Sequence, residues 1–171
     1  MQEGRYIYLA GFGVEKRLIL ATAKNIKEVF GFEVRLSYIT LPPRLGFNPY
    51  RRQYHASTIL EFLSKVYYPD MLKFIALLSF DLYEEGLNFV FGLAQLGGKY
   101  AVVNTHRLHS QEERLFFERV FREVNHELGH TFGLTHCKNR ECVMSFSNSL
   151  QDVDAKSRFF CESCSKILPK P

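Results

Sequence analysis

Residues 113–136 read ERLFFERVFREVNHELGHTFGLTH. Phe117, Phe121, Val124, Leu128 and Phe132 recur at steps of three and four, which makes one apolar stripe along a helix. At 100° per residue, His126 and His130 fall roughly opposite that stripe. The helix is therefore expected to pack its phenylalanines on a sheet and to turn its histidines elsewhere. Ser110 and Glu113 read as an S-x-x-E capping box that would open it. Gly133 is expected to close it in a left-handed turn.

Upstream, the pattern alternates. A buried strand is predicted over 5–12 and a helix over 15–31, closed by Gly31. A half-buried strand follows over 32–39. Pro42 and Pro43 then begin a loop to about residue 52, long enough to suggest a functional segment. A second helix is predicted over 54–68, and strands over 73–83, 88–96 and 100–105. Gly97 and Gly98 join the last two as a short hairpin. Strand–helix–strand order implies crossovers and a mainly parallel sheet, with one antiparallel strand at its edge.

The 171 residues suit one domain. Apolar residues make up 46% of them, with 16 Phe and 9 Tyr, enough for a sizeable core. The net charge of +4 is spread along the chain, apart from Arg44, Arg51 and Arg52 in one loop, so no nucleic-acid partner is expected. The opening MQEGRYIYLAGFG lacks the basic start and apolar run of a signal peptide. No stretch approaches the roughly 18–20 apolar residues of a membrane span. The expectation is a soluble, cytoplasmic protein, in which disulfides are disfavoured. A monomer is expected.

His126 and His130 stand four apart on one helix face, so both ring nitrogens can converge on one ion. Glu127 points about 100° away, too far to complete that ligand face but close enough to act as a base on water. Past Gly133 the chain turns back and brings His136 as a third nitrogen donor. Three donors leave a position open, as a catalytic zinc site requires. At ordinary residue usage the five fixed positions of this string arise by chance on the order of once in ten million starting points. His55, His106 and His109 lack such spacing.

Cys137, Cys142, Cys161 and Cys164 form C-x4-C-x18-C-x2-C. Two short-spaced pairs across a longer loop are the layout of a closed, structural zinc site. Such a site would stand in for a core in the last part of the chain and could position Met144. One competing possibility is that Cys137 ligates the first ion instead.

A string H-E-x-x-H-x-x-G-x-x-H followed by a methionine resembles the metzincin metallopeptidases. Met144 matches their Met-turn. Phe146 stands where several metzincins place a tyrosine. The run into C-x4-C-x-M and a later C-x2-C resembles the archaemetzincins. That resemblance implies a zincin-like α/β fold with a mixed, mostly parallel five-stranded sheet and an antiparallel edge strand. It implies one catalytic domain over 1–171. Residues 1–133 would carry the sheet and active-site helix, and 134–171 a small lobe with the four-cysteine site. It also implies a peptidase cleft beside the edge strand, within 88–96, which could hold an extended peptide.

The expected function is zinc-dependent peptide-bond hydrolysis, with one catalytic and one structural zinc and peptide or protein substrates. His126, His130 and His136 would hold the first ion and Glu127 would be the general base. An aminopeptidase form would need an acid for the substrate's free amine, and Asp81, Glu84 and Glu85 are the candidates. Two other readings need no base: a zinc-stabilised binding module with a silent or occluded site, and a zinc-ribbon nucleic-acid binder.

Overall fold

The computed structural model describes residues 4–171. Strand β1 (Tyr6–Phe12) leads into helix α1 (Lys16–Phe30). That helix ends at Gly31, whose φ of 82° is in the left-handed region. Strand β2 (Glu33–Leu36) returns parallel to β1. Strands β3 (Phe47–Asn48) and β4 (Gln53–His55) precede helix α2 (Ala56–Leu63). Strands β5 (Met71–Leu78) and β6 (Leu82–Tyr83) follow, then β7 (Gly92–Ala94) and β8 (Tyr100–Asn104). Helix α3 (Glu113–Thr131) is the long rod, and α4 (Leu150–Ala155) and α5 (Glu162–Ile167) are short.

The main sheet runs β2-β1-β5-β8-β7. Its first four strands are parallel, and β7 is the antiparallel edge, paired Gly92↔Val103, Leu93↔Val102 and Ala94↔Ala101. This is the mixed five-stranded sheet the sequence predicts. One core layer joins α1 and α3 to one face of the sheet, around Ile7, Leu9, Ile26, Ile75 and Leu77. The helical stripe behaves as its spacing requires. Val124 and Leu128 are fully buried in this layer, and Phe117 and Phe132 pack against it. A second layer, around Phe74, Ala76 and Leu78, seats α2 on the opposite face.

Several boundaries differ from expectation. The loop after Pro43 is not structureless: β3, β4 and β6 form a second, three-stranded sheet. The predicted strand over 73–83 therefore splits, β5 ending at Leu78 and β6 changing sheets. Helix α2 covers only Ala56–Leu63 of the predicted 54–68: residues 54–55 extend as strand before it and 64–68 turn off after it. Only three residues of 88–96 pair as strand. The Ser110 capping box does not form. Helix α3 starts at Glu113 with Glu112 as its N-cap, and Ser110 Oγ accepts instead from Glu112 N–H at 3.1 Å. Among the described residues no helix is long and apolar enough to cross a membrane.

Candidate metal centres and active-site cleft

Helix α3 buries His126 and Glu127, 6% and 5% exposed, and leaves His130 half-buried. Its end forms as glycine permits. Gly133 adopts φ 96° and donates to the His130 carbonyl at 2.9 Å, while Leu134 N–H donates to Gly129 O at 3.0 Å. The chain then doubles back and sets His136 beside the other two. Donor atoms of His126, His130 and His136 all lie within 4.8 Å of one another.

The hydrogen bonds fix the tautomers. His126 Nδ1 lies 2.8 Å from the Val143 carbonyl and His130 Nδ1 2.8 Å from the Leu134 carbonyl. A carbonyl only accepts, so both Nδ1 atoms carry the proton. Both Nε2 atoms then present lone pairs, and they stand 3.1 Å apart. Two lone pairs at that distance repel unless a cation lies between them. The edge of a tetrahedral zinc–nitrogen site is about 3.3 Å, so the donor set fits zinc. Burial, and next the nearby Lys156 ammonium, holds His126 well below the usual imidazole range. Burial also lowers His130, and burial with the His130 charge lowers His136. All three shifts favour the neutral, ligating imidazole.

The cysteines form a second, separate group. Their sulfurs lie within 4.8 Å of one another, and Cys137 groups with them rather than with the histidines. Cys137 Sγ and Cys161 Sγ are 3.8 Å apart. A disulfide would bring them to about 2.05 Å, whereas the edge of a tetrahedral zinc–thiolate site is about 3.8 Å. Cys142 Sγ accepts from the N–H groups of Met144 and Cys161, at 3.4 and 3.3 Å, as an anionic sulfur would. The backbone N–H of Cys164 brings the Cys161 thiol down to about 7, while burial pushes the Cys164 thiol up. A divalent cation relieves the crowding that four thiolates would create.

Met144 is fully buried between the two sets. Its carbonyl accepts from Cys137 N–H at 2.9 Å. Its sulfur lies where a side chain at Gly129 would begin, so glycine there lets the turn close under α3 without displacing the methionine. Phe146 sits 5.2 Å from the His136 ring, centroid to centroid.

A cavity of about 470 Å³ opens over the three histidines. Glu127 is on its floor, and its walls include Phe89, Phe91, Leu93 and Phe146. Burial, and next the Glu123 charge, raises the Glu127 carboxyl well above the usual range, with Lys156 opposing. Gly92 on β7 makes room for it, since a Cβ there would lie 2.8 Å from Glu127 Oε2 and 2.7 Å from the Val102 carbonyl. An isolated glycine inside a strand pattern is a signal of such close approach. The sequence reading also missed Glu123, although it stands four residues before Glu127 on the same helical face. Lys156, 2% exposed, carried no sequence signal at all.

The acids expected to hold a free amine do not line this cavity. Asp81 accepts from Arg107 at 2.9 and 2.8 Å, Asn104 at 2.8 Å and Gln53 at 2.9 Å. Glu84 accepts from Ser57 N–H at 3.0 Å and pairs with His55 at 3.2 Å. Glu85 lines a shallow depression near His55 and Tyr83.

The sequence profile of peptidase family M54 matches residues 19–170. Archaemetzincin of Methanopyrus kandleri is 46% identical over 128 residues, covering 75% of this chain and 73% of that protein. A crystal structure of archaemetzincin from the same organism superposes with a TM-score of 0.88 at 38% identity, over 96% of this chain and 93% of that one. The crystal structure of archaemetzincin from Archaeoglobus fulgidus, complexed with malonate, gives 0.85 at 37% identity, over 95% and 99%. With a profile that spans most of its length and relatives this similar, the chain belongs to peptidase family M54, the archaemetzincins, and is a zinc metallopeptidase.

Proposed function

We propose that His126, His130 and His136 hold the catalytic zinc and that Glu127 is the general base for peptide-bond hydrolysis. Zinc, when bound there, supplies a Lewis acid that acidifies water and polarises a carbonyl. Glu127 takes one proton from the attacking water and passes it to the leaving amine as the C–N bond breaks, so charge balances over the cycle. Strand β7 offers its unpaired edge to an extended substrate. The observation that carries this reading is the pair of Nε2 lone pairs 3.1 Å apart, at the floor of the cavity that Glu127 also lines.

The four cysteines take a second, structural zinc in this reading, giving two ions per chain. Residues 1–171 act as one domain, with the sheet and α3 in 1–133 and the cysteine-pinned lobe in 134–171. The exposed edge of His136 and the opening of the cavity favour a working cleft over a silent binding module. With Asp81 and Glu84 engaged elsewhere, cleavage that needs no free amine is favoured over N-terminal trimming.

The test is cleavage of a mixed peptide library by zinc-loaded protein, by chelated protein and by chelated protein given zinc back. Turnover should vanish and return. Turnover that survives chelation would sink the proposed role of the histidines.

A further inference from the structure

We propose that Lys73 is a positioning residue of the cleft, whose ammonium holds the β7–β8 hairpin against the C-terminal end of α3. The inference rests on the reading of β7 as the edge that takes the substrate. Lys73 is the third residue of β5, the central strand of the main sheet, and is only 8% exposed. A lysine buried there is costly unless something answers its charge. Its partners are carbonyls. Nζ donates to the Gly98 carbonyl at 2.6 Å and to the Thr131 carbonyl at 2.8 Å. It also stands 4.7 Å from the centre of the Phe132 ring, within reach of a cation–π contact.

The last four carbonyls of a helix have no partner within it, and they carry the negative end of its dipole. In α3 two of these are met from outside the helix end. Gly97 N–H donates to the His130 carbonyl at 2.9 Å, and Lys73 takes Thr131. Gly97 and Gly98 form the hairpin tip, so the ammonium bridges that tip and the end of the helix. Gly92, Leu93 and Leu96 line the cavity from the hairpin, and His130 lines it from α3. Lys73 thereby sets the substrate edge relative to the zinc donors. His130 has its own anchor, the Leu134 carbonyl 2.8 Å from Nδ1. Loss of the Lys73 contacts should displace the edge and spare the metal.

The experiment compares zinc-loaded wild type with Lys73→Met, which nearly keeps the length of the side chain and removes its charge. KM for an N-acetylated peptide should rise about 10-fold, the low end of what hydrogen bonds to a charged group contribute, while kcat stays within about 2-fold. Zinc content and melting temperature should not fall, since methionine suits a buried strand. Hydrogen exchange over 95–99 should speed up. An unchanged KM would overturn the proposal, whatever the melting temperature. So would a fall in kcat at constant KM, which would place the effect on the chemistry at zinc. If wild type cleaves no peptide, the peptidase reading fails separately, and hydrogen exchange decides on the clamp: equal protection of 95–99 in the two proteins overturns it. If Lys73→Met does not fold, wild type alone decides. Burial, and next the like charge of Lys99 in the hairpin, lowers the Lys73 ammonium to about 8. Ile7 stands beside it on β1, and α3 presents the Thr131 carbonyl, the Phe132 ring and, in its last turn, His130, which bound zinc keeps neutral. The clamp is complete below that value and weakens as pH rises through it. Exchange over 95–99, corrected for its intrinsic pH dependence, should therefore speed up between pH 7 and 9, and constant protection would overturn the proposal.

Discussion

The two donor sets meet across one peptide bond, between His136 and Cys137, yet they stand in opposite relation to the fold. His126 and His130 ride on a helix whose stripe is already buried in the main core, at Val124 and Leu128. The fold makes that site. The cysteines have less support: Val153, Phe160 and Leu168 tie their lobe to the main core, but the donors themselves lie outside it. Their cluster consists of Leu134, Cys142, Val143, Met144 and Cys164, so two of its five buried residues belong to the proposed donor set. There the site makes the fold. Reactive geometry that must be held rigidly sits on packed structure. A short segment that cannot bury enough apolar surface depends on a cross-link instead.

The largest effect that can break this contrast lies at Glu127. Glu127→Gln should retain zinc and thermal stability while turnover falls by about 10²–10⁴, the usual worth of a general base. The amide nearly matches the carboxylate in size but cannot accept the water's proton. Assays at matched zinc content check this. Equal rates for the two proteins would mean that another group is the base.

Next come the ligands themselves. Elemental analysis should find two zinc ions per chain. One zinc with four titratable thiols would remove the cysteine site. Cys161→Ser should lower stability by about 4 kcal/mol or more, the range that marks loss of a metal site. His130→Ala should cost about 1 kcal/mol, an ordinary substitution on a packed helix. Thermal melts that rank the two in the opposite order would erase the distinction between the sites.

How far the sequence reveals this arrangement follows the same line. The sheet and α3 were legible because burial imposes a period on residues such as Phe117, Val124 and Leu128. The donor atoms come together at the spacings the sequence predicts, because helix pitch and one glycine turn suffice to converge His126, His130 and His136. What escaped has no period. The sheet β3-β4-β6 is built from strands of two or three residues, too short to show alternation. Lys156 reaches His126 Nδ1, at 3.4 Å, from thirty residues away. Asp81 looked available in sequence, and only the fold shows its oxygens committed to Arg107, Asn104 and Gln53.

The seam between the regions gives a smaller effect. At Gly129, an added Cβ would overlap the Met144 sulfur and lie 3.0 Å from the Phe160 ring. Methionine can shift, but its turn is tied to Cys137 through the 2.9 Å backbone bond. Gly129→Ala should therefore cost about 1–3 kcal/mol through overpacking, despite the better helix propensity of alanine. It should also weaken zinc retention at both sites, which parallel chelator titrations would detect. An unchanged melt would mean that Met144 is not wedged against the helix.

The smallest effect is a control in the region that neither donor set touches. Burial opposes ionisation of Asp81, but hydrogen bonds from Arg107, Asn104 and Gln53 hold its carboxyl below the usual range. The folded pKa is thus lower than the unfolded value of about 3.9. In the window between them the unfolded chain binds more protons, so stability rises with pH there. The contribution is present above the unfolded value and is lost as pH falls through the folded one. Asp81→Asn removes this charge, along with its anchor on Arg107, whose guanidinium lies over the Phe89 ring on the cavity wall at 4.2 Å. The variant should be less stable than wild type at neutral pH, and the gap should narrow on acidification below about pH 4. Histidine protonation and zinc release act on both proteins, so they cancel in the difference. Denaturant melts of the pair across that range measure it. A gap that stays constant would show that the Asp81 network stabilises through packing rather than charge. The sheet region would then resemble the cysteine lobe in neither its metal dependence nor its electrostatics.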